Sequence, residues 1–255
     1  MSNRLHNKTA IVTGGGAGIG EAIALLIAEE GGRVLVADVD EAGGEHTVAA
    51  IRDAGGEAVF VRCDVSREEE VRAMTDAAAR ELGGVDVLVN NAAVFVLKGV
   101  EATPEEWHRS LSVNVVGNSL CTRYAVEEMK KRGGGAIVNL SSISAFIAQP
   151  QFVTYSATKA AILQMTRNLA LDLAPFNIRV NAVCPGTILT QASRNHMERV
   201  GQSFDEWNAE QSSRQLLGRV GDPREVAYPV VFLASDEASF ITGTHLMVDG
   251  GYVAV

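Results

Sequence analysis

Short apolar runs alternate with amphipathic segments along almost the whole chain. The apolar runs are rich in valine, isoleucine and alanine, as in strands buried on both faces of a sheet, and they lie at residues 8–13, 33–37, 58–61, 85–89, 135–140, 178–183 and 245–248. Helical patterns fill most of the intervals, at residues 21–30, 41–53, 67–82, from 103 toward 114, 155–172 and 223–234. This order predicts an α/β fold: a three-layer, doubly wound parallel sheet of about seven strands with helices on both faces.

One stretch departs from this alternation. Residues 187–220 are long and largely polar, and they directly follow the end of a predicted strand. Inserts at such positions usually close over a binding site. We therefore predict that residues 187–220, called the lid segment below, cover a site and are helical in part at 204–217.

A glycine-rich loop, residues 14–20, joins the first strand to the first helix. Gly14 allows a tight turn, Gly18 lets the backbone approach a pyrophosphate, and the following helix offers free N–H groups and a partial positive charge. Glycine clusters also mark ordinary turns. The context of strand, loop and helix favours a phosphate site and predicts a dinucleotide-binding sheet of the Rossmann type.

Asp38 ends the second predicted strand, eighteen residues after Gly20. A carboxylate there accepts hydrogen bonds from both ribose hydroxyls and repels a 2′-phosphate, and Ala17 in the glycine loop adds no positive charge. These residues predict NAD(H) rather than NADP(H). The alternative is that Asp38 only caps the helix that begins near Glu41.

Polar residues also follow the third and fourth strands. Asp64 lies where ligands bind in open α/β sheets, so it either faces an adenine or caps the next helix, a task for which Ser66 competes. Asn90 and Asn91 are expected to tie neighbouring strands together beneath the cofactor.

Tyr155 and Lys159 are four residues apart in a helical stretch, so both side chains lie on one face. A free phenol has a pKa of about 10, and only about one in a thousand is ionised at neutral pH. Lowering that pKa by about three units requires about 4 kcal/mol. One ammonium supplies less than this, so general-base chemistry would need a second positive charge, from a cofactor. An ordinary surface pair has the same spacing.

Taken together, these motifs resemble the short-chain dehydrogenase/reductase superfamily over essentially the whole chain. The matching segments are the TGxxxGIG loop (13–20), the NNAG motif (90–93), the helix asparagine Asn114, Ser142 thirteen residues before the tyrosine, the YxxxK pair Tyr155 and Lys159, and the PG turn Pro185–Gly186. Ala93 departs from the family glycine. The resemblance implies one Rossmann-type, NAD-binding catalytic domain over residues 1–255.

The resemblance implies an NAD-dependent oxidoreductase that interconverts a secondary alcohol and a ketone. Tyr155 would be the acid/base, and Ser142 would hold the substrate oxygen. Lys159 would lower the tyrosine pKa and bind the nicotinamide ribose, and Asn114 would anchor a proton-relaying water. The cofactor-binding residues so expected are Gly14, Gly16, Ala17, Gly18, Ile19, Asp38, Asp64, Val65, Asn91, Ala92, Tyr155, Lys159, Pro185, Gly186, Ile188 and Thr190.

The substrate is specified less closely. Expected contacts combine apolar and polar groups, which suits a medium-sized secondary alcohol: Ser142, Phe95, Gln149, Phe152, Tyr155 and His196. A sugar or cyclic polyol and a hydroxysteroid-like compound both fit, and polar lid residues favour the former. Arg194 and His196 have the chemistry to bind a carboxylate, but their polarity is better explained by solvation of the lid.

Bulk properties exclude several classes of partner. A net charge of −9 disfavours nucleic acid and anionic membranes. No apolar signal segment precedes the first strand and no apolar run is long enough to span a bilayer. Three distant cysteines suit a reducing compartment, and five scattered histidines predict no metal site. We expect a cytoplasmic enzyme acting on a small molecule.

The resemblance also implies a homotetramer. A second argument for subunit contacts is that the helices carrying Asn114 and Tyr155 have small or aliphatic residues expected on outward faces, namely Ala160, Ala161, Leu169 and Val126, which suit packing between subunits.

Two other functions compete. An NADPH-dependent reductase of the 3-oxoacyl-carrier-protein type shares the active site, but Asp38 and Ala17 argue against it. A non-enzymatic NAD-sensing protein is disfavoured because the catalytic set is complete.

Overall fold

Seven parallel strands form one sheet with helices packed on both faces. The computed structural model describes residues 3–254. The strands are β1 Thr9–Thr13, β2 Arg33–Asp38, β3 Glu57–Arg62, β4 Val87–Asn90, β5 Gly135–Leu140, β6 Ile178–Pro185 and β7 His245–Val248. The α-helices are α1 Gly18–Glu29, α2 Glu41–Asp53, α3 Glu68–Leu82, α4 Pro104–Leu111, α5 Asn118–Lys131, α6 Val153–Leu173, α7 Gln191–Val200, α8 Phe204–Ser212 and α9 Pro223–Ala234.

The strand order across the sheet is β3-β2-β1-β4-β5-β6-β7. Val12 of β1 is therefore in register with Val36 of β2 on one side and with Val89 of β4 on the other. The order reverses between β1 and β4, and a crevice opens at that point beyond the carboxyl ends of the strands. The predicted doubly wound α/β fold is confirmed.

Successive side chains of the central strands enter two separate cores. In β1, Ala10 and Val12 pack in the core that contains Ile23 of α1, while Ile11 packs in the core that contains Met74 of α3. All five residues of β1 are buried. Burial on both faces is the reason that the strands read as continuous apolar runs rather than as alternating ones.

The helix predicted from residue 103 is confirmed and has an added irregularity. Thr103 is its N-cap, with a capping box to Glu106, and between α4 and α5 the chain widens into a π-helical turn, Ser112–Gly117, that contains Asn114. Such turns occur mostly as single insertions in α-helices, frequently at functional sites.

The two ends of the lid segment lie side by side and are joined by backbone hydrogen bonds. The backbone N–H of Leu189 donates to the carbonyl of Gly221 at 2.9 Å, and the N–H of Gly221 donates to the carbonyl of Thr187 at 2.9 Å. These two bonds tie the start of the lid to its end. The lid carries α7 and α8 between them.

The predicted helix over 204–217 is too long. It ends at Ser212, because the chain beyond turns toward the C-terminal segment, where the N–H of Leu217 donates to the carbonyl of Gly250 at 3.1 Å. The helix α7 was not predicted, because its sequence is polar on most positions and lacks an apolar stripe.

Val126 does not lie on an outward face, as the tetramer argument supposed. It is 7% exposed and belongs to the core between α5 and the sheet. Ala160 is exposed as expected, and the homotetramer stays a prediction. In the part of the chain that is described, no helix is long and apolar enough to cross a membrane.

A buried amide network joins the sheet to the helices behind it. The amide oxygen of Asn139 in β5 accepts from Asn90 Nδ2 of β4 at 3.0 Å and from Asn118 Nδ2 of α5 at 3.3 Å, and Asn139 Nδ2 donates to Thr166 Oγ1 of α6 at 3.0 Å. Asn139 is fully buried. The network fixes the ends of β4 and β5 against α6, which carries Tyr155 and Lys159, so the expected tie between strands through Asn90 is confirmed.

Replacement of Asn139 by leucine is expected to lower the free energy of unfolding by about 3 kcal/mol or more. The apolar side chain leaves three buried polar groups without their partner, and each such loss costs about 1–3 kcal/mol. Urea unfolding measures the change. Asn168→Leu on the exposed face of α6 is the matched control and should shift stability by no more than about 0.5 kcal/mol; equal effects of the two substitutions would contradict a special role for the network.

Candidate active site

A cavity of about 1220 Å³ opens at the carboxyl ends of the strands. It is bordered by the glycine loop, the ends of the central strands and the lid helices. Its lining includes most of the predicted site residues: Gly14, Ala17, Gly18, Ile19, Asp38, Asp64, Val65, Asn91, Ala92, Phe95, Ser142, Gln149, Phe152, Tyr155, Lys159, Pro185, Gly186, Ile188, Thr190 and His196. Gly16 and Asn114 lie behind the wall.

The glycine loop has the shape of a phosphate cradle. Gly14 and Gly18 have φ values of +64° and +59°, which L-residues with a side chain rarely adopt. A Cβ on Gly20 would lie 1.9 Å from the carbonyl oxygen of Gly14, so only glycine allows this approach of α1 to the loop. The N-cap of α1, Ala17, has no side chain to cap the helix. The first N–H groups of α1 are therefore free of a capping side chain and suit an anion such as a pyrophosphate.

Thr13 and Asn91 hold the glycine loop against β4. Asn91 Nδ2 donates to the carbonyls of Thr13 and Gly14 at 3.0 and 2.9 Å. Thr13 Oγ1 donates to the carbonyl of Val89 and accepts from the N–H groups of Asn91 and Ala92. The role of Asn91 agrees with the expectation, but Thr13 was not singled out as a site residue.

Asp38 connects the tip of β2 to the glycine loop. Its Oδ2 accepts from the N–H of Gly16 at 2.9 Å and its Oδ1 accepts from the N–H of Asp40 at 3.0 Å. The N-cap residue of α2 is Asp40, so the alternative that Asp38 caps this helix is wrong. The carboxylate stands on the cavity wall, and Gly16 acts by holding it there.

Asp64 also borders the cavity, and its carboxylate organises its own turn. Its Oδ1 accepts from the N–H of Ser66 at 3.0 Å and from the hydroxyl of Ser66 at 2.7 Å. The N-cap position of α3 is occupied by Arg67, so neither Asp64 nor Ser66 caps that helix. The turn leaves Asp64 and Val65 on the wall.

Tyr155 and Lys159 lie on one face of α6 and border the cavity, as their spacing predicts. Their side chains are buried, and Lys159 Nζ is 5.5 Å from the centroid of the Tyr155 ring. Phe95 stacks on that ring at 5.0 Å between centroids and Phe152 meets it edge-on at 5.9 Å. Lys159 Nζ donates to the carbonyl oxygen of Leu140 at 2.8 Å. The phenol is therefore held between two aromatic rings and beside a fixed ammonium.

Burial controls the protonation of both groups. Burial raises the pKa of Tyr155 above its ordinary value, and the hydroxyl of Ser142 offsets part of that rise. Burial also lowers the pKa of Lys159 from 10.5 to about 8. The protein by itself thus keeps the phenol protonated, and the lysine, with a pKa of about 8, remains mostly an ammonium at neutral pH. The lowered phenol pKa that general-base chemistry requires must therefore come from an added positive charge.

Ser142 is the first member of a chain of polar side chains. Its Oγ accepts from the N–H of Ser144 at 3.1 Å and donates to Ser144 Oγ at 3.2 Å, and Ser144 Oγ donates to Gln149 Oε1 at 2.6 Å. Sequence analysis singled out Ser142 and Gln149 but missed Ser144 between them. The repeat Ser-Ser-Ile-Ser at 141–144 was the available signal.

Asn114 lies behind the cavity, where its amide holds two segments together. Asn114 Oδ1 accepts from the N–H of Val94 at 2.8 Å, and Nδ2 donates to the carbonyl of Val94 at 3.0 Å and to Thr158 Oγ1 at 3.1 Å. Thr158 Oγ1 in turn donates to the carbonyl of Tyr155 at 2.8 Å. The amide therefore braces the start of α6 against the segment after β4. Thr158 was missed, although it stands between Tyr155 and Lys159.

The lid begins close to the glycine loop. Thr190 caps α7 through a capping box with Ser193, and a Cβ on Gly18 would lie 3.4 Å from Thr190. His196 is half-buried on the cavity side of α7, with Nδ1 2.9 Å from Arg199 Nη2. The lid thus brings two residues to the cavity for which contacts were predicted, Thr190 for the cofactor and His196 for the substrate.

Comparison with known proteins finds matches over nearly the whole chain. A family model described as enoyl-(acyl carrier protein) reductase matches residues 14–253. Cyclopentanol dehydrogenase of Comamonas sp. (strain NCIMB 9872) is 42% identical over 98% of this chain and 99% of that protein. Cis-4-hydroxycyclohexanecarboxylate dehydrogenase of Sinomonas cyclohexanicum is 42% identical, with 100% of each chain covered.

A solved structure of a 7α-hydroxysteroid dehydrogenase, complexed with NADH and 7-oxo glycochenodeoxycholic acid, matches with a TM-score of 0.92 at 36% identity, covering 98% of this chain and 96% of that one. Matches of this length and identity agree with the strand order and with the side chains gathered in the cavity. The chain belongs to the short-chain dehydrogenase/reductase superfamily of oxidoreductases.

Proposed function

We propose that the chain is an NAD(H)-dependent dehydrogenase that interconverts a ring-borne secondary alcohol and the corresponding ketone. The observation that carries the proposal is the placement of the Tyr155 phenol on the cavity wall, beside Ser142 and Lys159. The relatives named above, which are called dehydrogenases of cyclopentanol, of a hydroxycyclohexanecarboxylate and of a hydroxysteroid, support a hydroxyl on a ring.

The glycine loop, the carboxylate of Asp38 and the wall formed by Asp64 and Val65 would hold the dinucleotide. When bound, its oxidised nicotinamide accepts a hydride and adds the positive charge that this buried site lacks. Glycines with positive φ and an uncapped helix N-terminus fit a pyrophosphate. The residues present therefore suit the cofactor.

Tyr155 exchanges the proton with the substrate oxygen. In ketone reduction the phenol donates its proton, which the raised pKa keeps in place at neutral pH. Ser142 is fixed through the N–H of Ser144, and its single O–H turns from Ser144 Oγ to donate a hydrogen bond to the same oxygen. In alcohol oxidation the proton moves the other way, and the ammonium of Lys159 stabilises the phenolate that receives it.

The walls near Tyr155 favour a compact apolar ring over a sugar. Phe95 and Phe152 contact the phenol, and the buried Trp207 of α8 borders the same cavity. A polyol would leave several hydroxyls against these aromatic surfaces without partners, which is costly. We therefore place cyclic alcohols and hydroxysteroid-like compounds ahead of sugars, reversing the order that lid polarity suggested.

A screen of cyclopentanol, cyclohexanol, steroid alcohols and sugars with NAD⁺ tests the function. Turnover is measured as the increase in absorbance of the reduced nicotinamide. We expect turnover of ring alcohols. The second candidate, a reductase of acyl-carrier-protein substrates, is favoured by the description of the family model; reduction of a 3-oxoacyl or enoyl thioester with NADPH, without alcohol oxidation, would establish it instead.

Tyr155→Phe is expected to abolish turnover and to leave NAD⁺ binding within about twofold, because the ring still packs between Phe95 and Phe152 but has no exchangeable proton. Steady-state rates and a fluorescence titration with NADH measure the two effects. Retention of more than about a tenth of wild-type turnover would reject Tyr155 as the proton-transfer residue, since general acid–base groups contribute about 10²–10⁴-fold.

Asp38→Asn is expected to lower the preference for NAD⁺ over NADP⁺ by at least about tenfold in kcat/KM. The amide oxygen can still accept from the N–H of Gly16, but the charge that repels a 2′-phosphate is gone. The neighbouring, exposed Asp40→Asn is the matched control. If both variants change the preference equally, the effect belongs to the general field of the loop and the assignment of Asp38 fails.

Lys159 should make stability depend on pH in a defined window. Its pKa is about 8 in the folded chain and 10.5 in the unfolded chain, so the unfolded chain holds more protons between those values and stability rises with pH there. We expect wild type to gain stability relative to Lys159→Met from about pH 8 to about pH 10.5 in urea unfolding. A difference between wild type and Lys159→Met that stays flat across this range would contradict the depressed pKa.

A further inference from the structure

Three of the 17 arginines make no hydrogen bond or ion pair from the guanidinium to an oxygen atom of residues 3–254. Ten others pair with carboxylates, and four donate to backbone carbonyls or a side-chain amide. The three exceptions are Arg109, Arg194 and Arg199. In a chain with 31 acidic and 22 basic residues, arginines without a carboxylate partner stand out.

All three lie at the active-site opening. Arg109 of α4 and Arg199 of α7 line the main cavity. Arg194 borders an adjoining depression with Ala17 and Gly18 of the glycine loop. Glu21 and Asp222 also border the depression of Arg194, so we base the inference on Arg109 and Arg199. Two arginines without a carboxylate partner therefore line the main cavity of a protein that is negative as a whole, and such a place attracts anions.

The carboxylates of the cavity leave this charge uncompensated. Three carboxylates line it, those of Asp38, Asp64 and Glu210. Asp38 and Asp64 accept hydrogen bonds within their own turns. Glu210 lies 2.7 Å from Arg214 and is neutralised by it. No carboxylate of residues 3–254 lies within 4 Å of the guanidinium of Arg109 or Arg199.

Arg199 is also held in position. A guanidinium can only donate, so His196 Nδ1 accepts from Arg199 Nη2 at 2.9 Å. Both residues lie on the face of α7 that lines the cavity. The histidine uses one donor of the guanidinium and leaves the others for a planar acceptor with two oxygens, the geometry that arginine binds best.

We propose that the substrate ring carries a carboxylate and that Arg199, held by His196, binds it, while Arg109 adds positive charge. The proposal rests on the function proposed above, because it assumes that the alcohol of the same ring lies at Tyr155 and Ser142. An oxyanion at Arg199 has two possible sources, the substrate or the cofactor pyrophosphate. We assign it to the substrate because the glycine loop and the N-terminus of α1 already provide the phosphate site.

The test compares two ring alcohols that differ in charge, 4-hydroxycyclohexanecarboxylate and its carboxamide, at saturating NAD⁺. Wild type should prefer the carboxylate in kcat/KM, and added salt should reduce that preference. Arg199→Gln should lower kcat/KM for the carboxylate at least about tenfold more than for the carboxamide, the usual scale of a charge-assisted hydrogen bond. Arg199→Lys should retain part of the preference, and the exposed Arg72→Gln on α3 should leave both values unchanged.

Two results would overturn the proposal. An equal loss for both alcohols, or a rise in the KM for NAD⁺ that accounts for the loss, would assign Arg199 to the cofactor. The absence of a carboxylate preference in wild type would show that no substrate anion binds there.

Calorimetric binding of cyclohexanecarboxylate, which has no reacting hydroxyl, separates this proposal from the function. We expect Arg199→Gln to bind it at least about tenfold more weakly than wild type. Such binding without turnover of any alcohol would support the carboxylate site and reject the dehydrogenase function. Turnover of neutral ring alcohols, with carboxylate binding that does not depend on Arg199, would reject the site alone.

Discussion

The active site depends on the burial of one ammonium group. Lys159 is 3% exposed and has a single described hydrogen bond from Nζ, to the carbonyl of Leu140 at the end of β5. Burying an ammonium that has only one hydrogen-bond acceptor costs free energy. This cost disfavours the charged form and is the reason that the pKa of Lys159 is lowered. The surrounding structure must therefore hold α6 firmly, since any loosening would let the ammonium reach water and would separate it from Tyr155.

The rigid attachment of α6 comes from polar groups rather than from the apolar core alone. Ser141 Oγ donates to the carbonyl of Lys159 at 2.8 Å, and Asn139 holds α6 about two turns further along through Thr166. Asn114 reaches the same helix through Thr158. These bonds are directional, so they fix the rotation of α6 about its axis, which apolar packing does not specify. The phenol and the ammonium then face the cavity in one defined orientation.

The fold could be predicted from the sequence because the central strands are buried on both faces, which leaves continuous apolar runs such as Thr9–Thr13. The main site side chains could be predicted as well, since Asp38, Ser142 and Tyr155 follow strands or share a helix face. Partners across long sequence distances could not. The sequence around Thr13 does not indicate that its hydroxyl accepts hydrogen bonds from the backbone after β4. The sequence around Ser144 likewise does not indicate that its hydroxyl donates to Gln149. The lid was predicted as an insert, but its helices have no apolar stripe from which to read their limits.

Negative and positive charges lie on different sides of the cavity, an arrangement that the sequence did not predict. At the tip of β2 a carboxylate, Asp38, borders the cavity, and under the proposed function its charge would oppose an additional phosphate on the ribose. Among the charged lid residues that line the cavity, Arg199 and the neutral pair of Arg214 with Glu210 leave one positive charge. The negative charge of Asp38 and the positive charge of Arg199 lie at different places in the cleft. Each would therefore act mainly on the ligand group nearest to it, the cofactor ribose for Asp38 and the substrate for Arg199. Under the two proposals, discrimination between NAD and NADP at Asp38 and recognition of a substrate carboxylate at Arg199 can change independently, because Asp38 ends β2 and Arg199 lies on α7 of the lid.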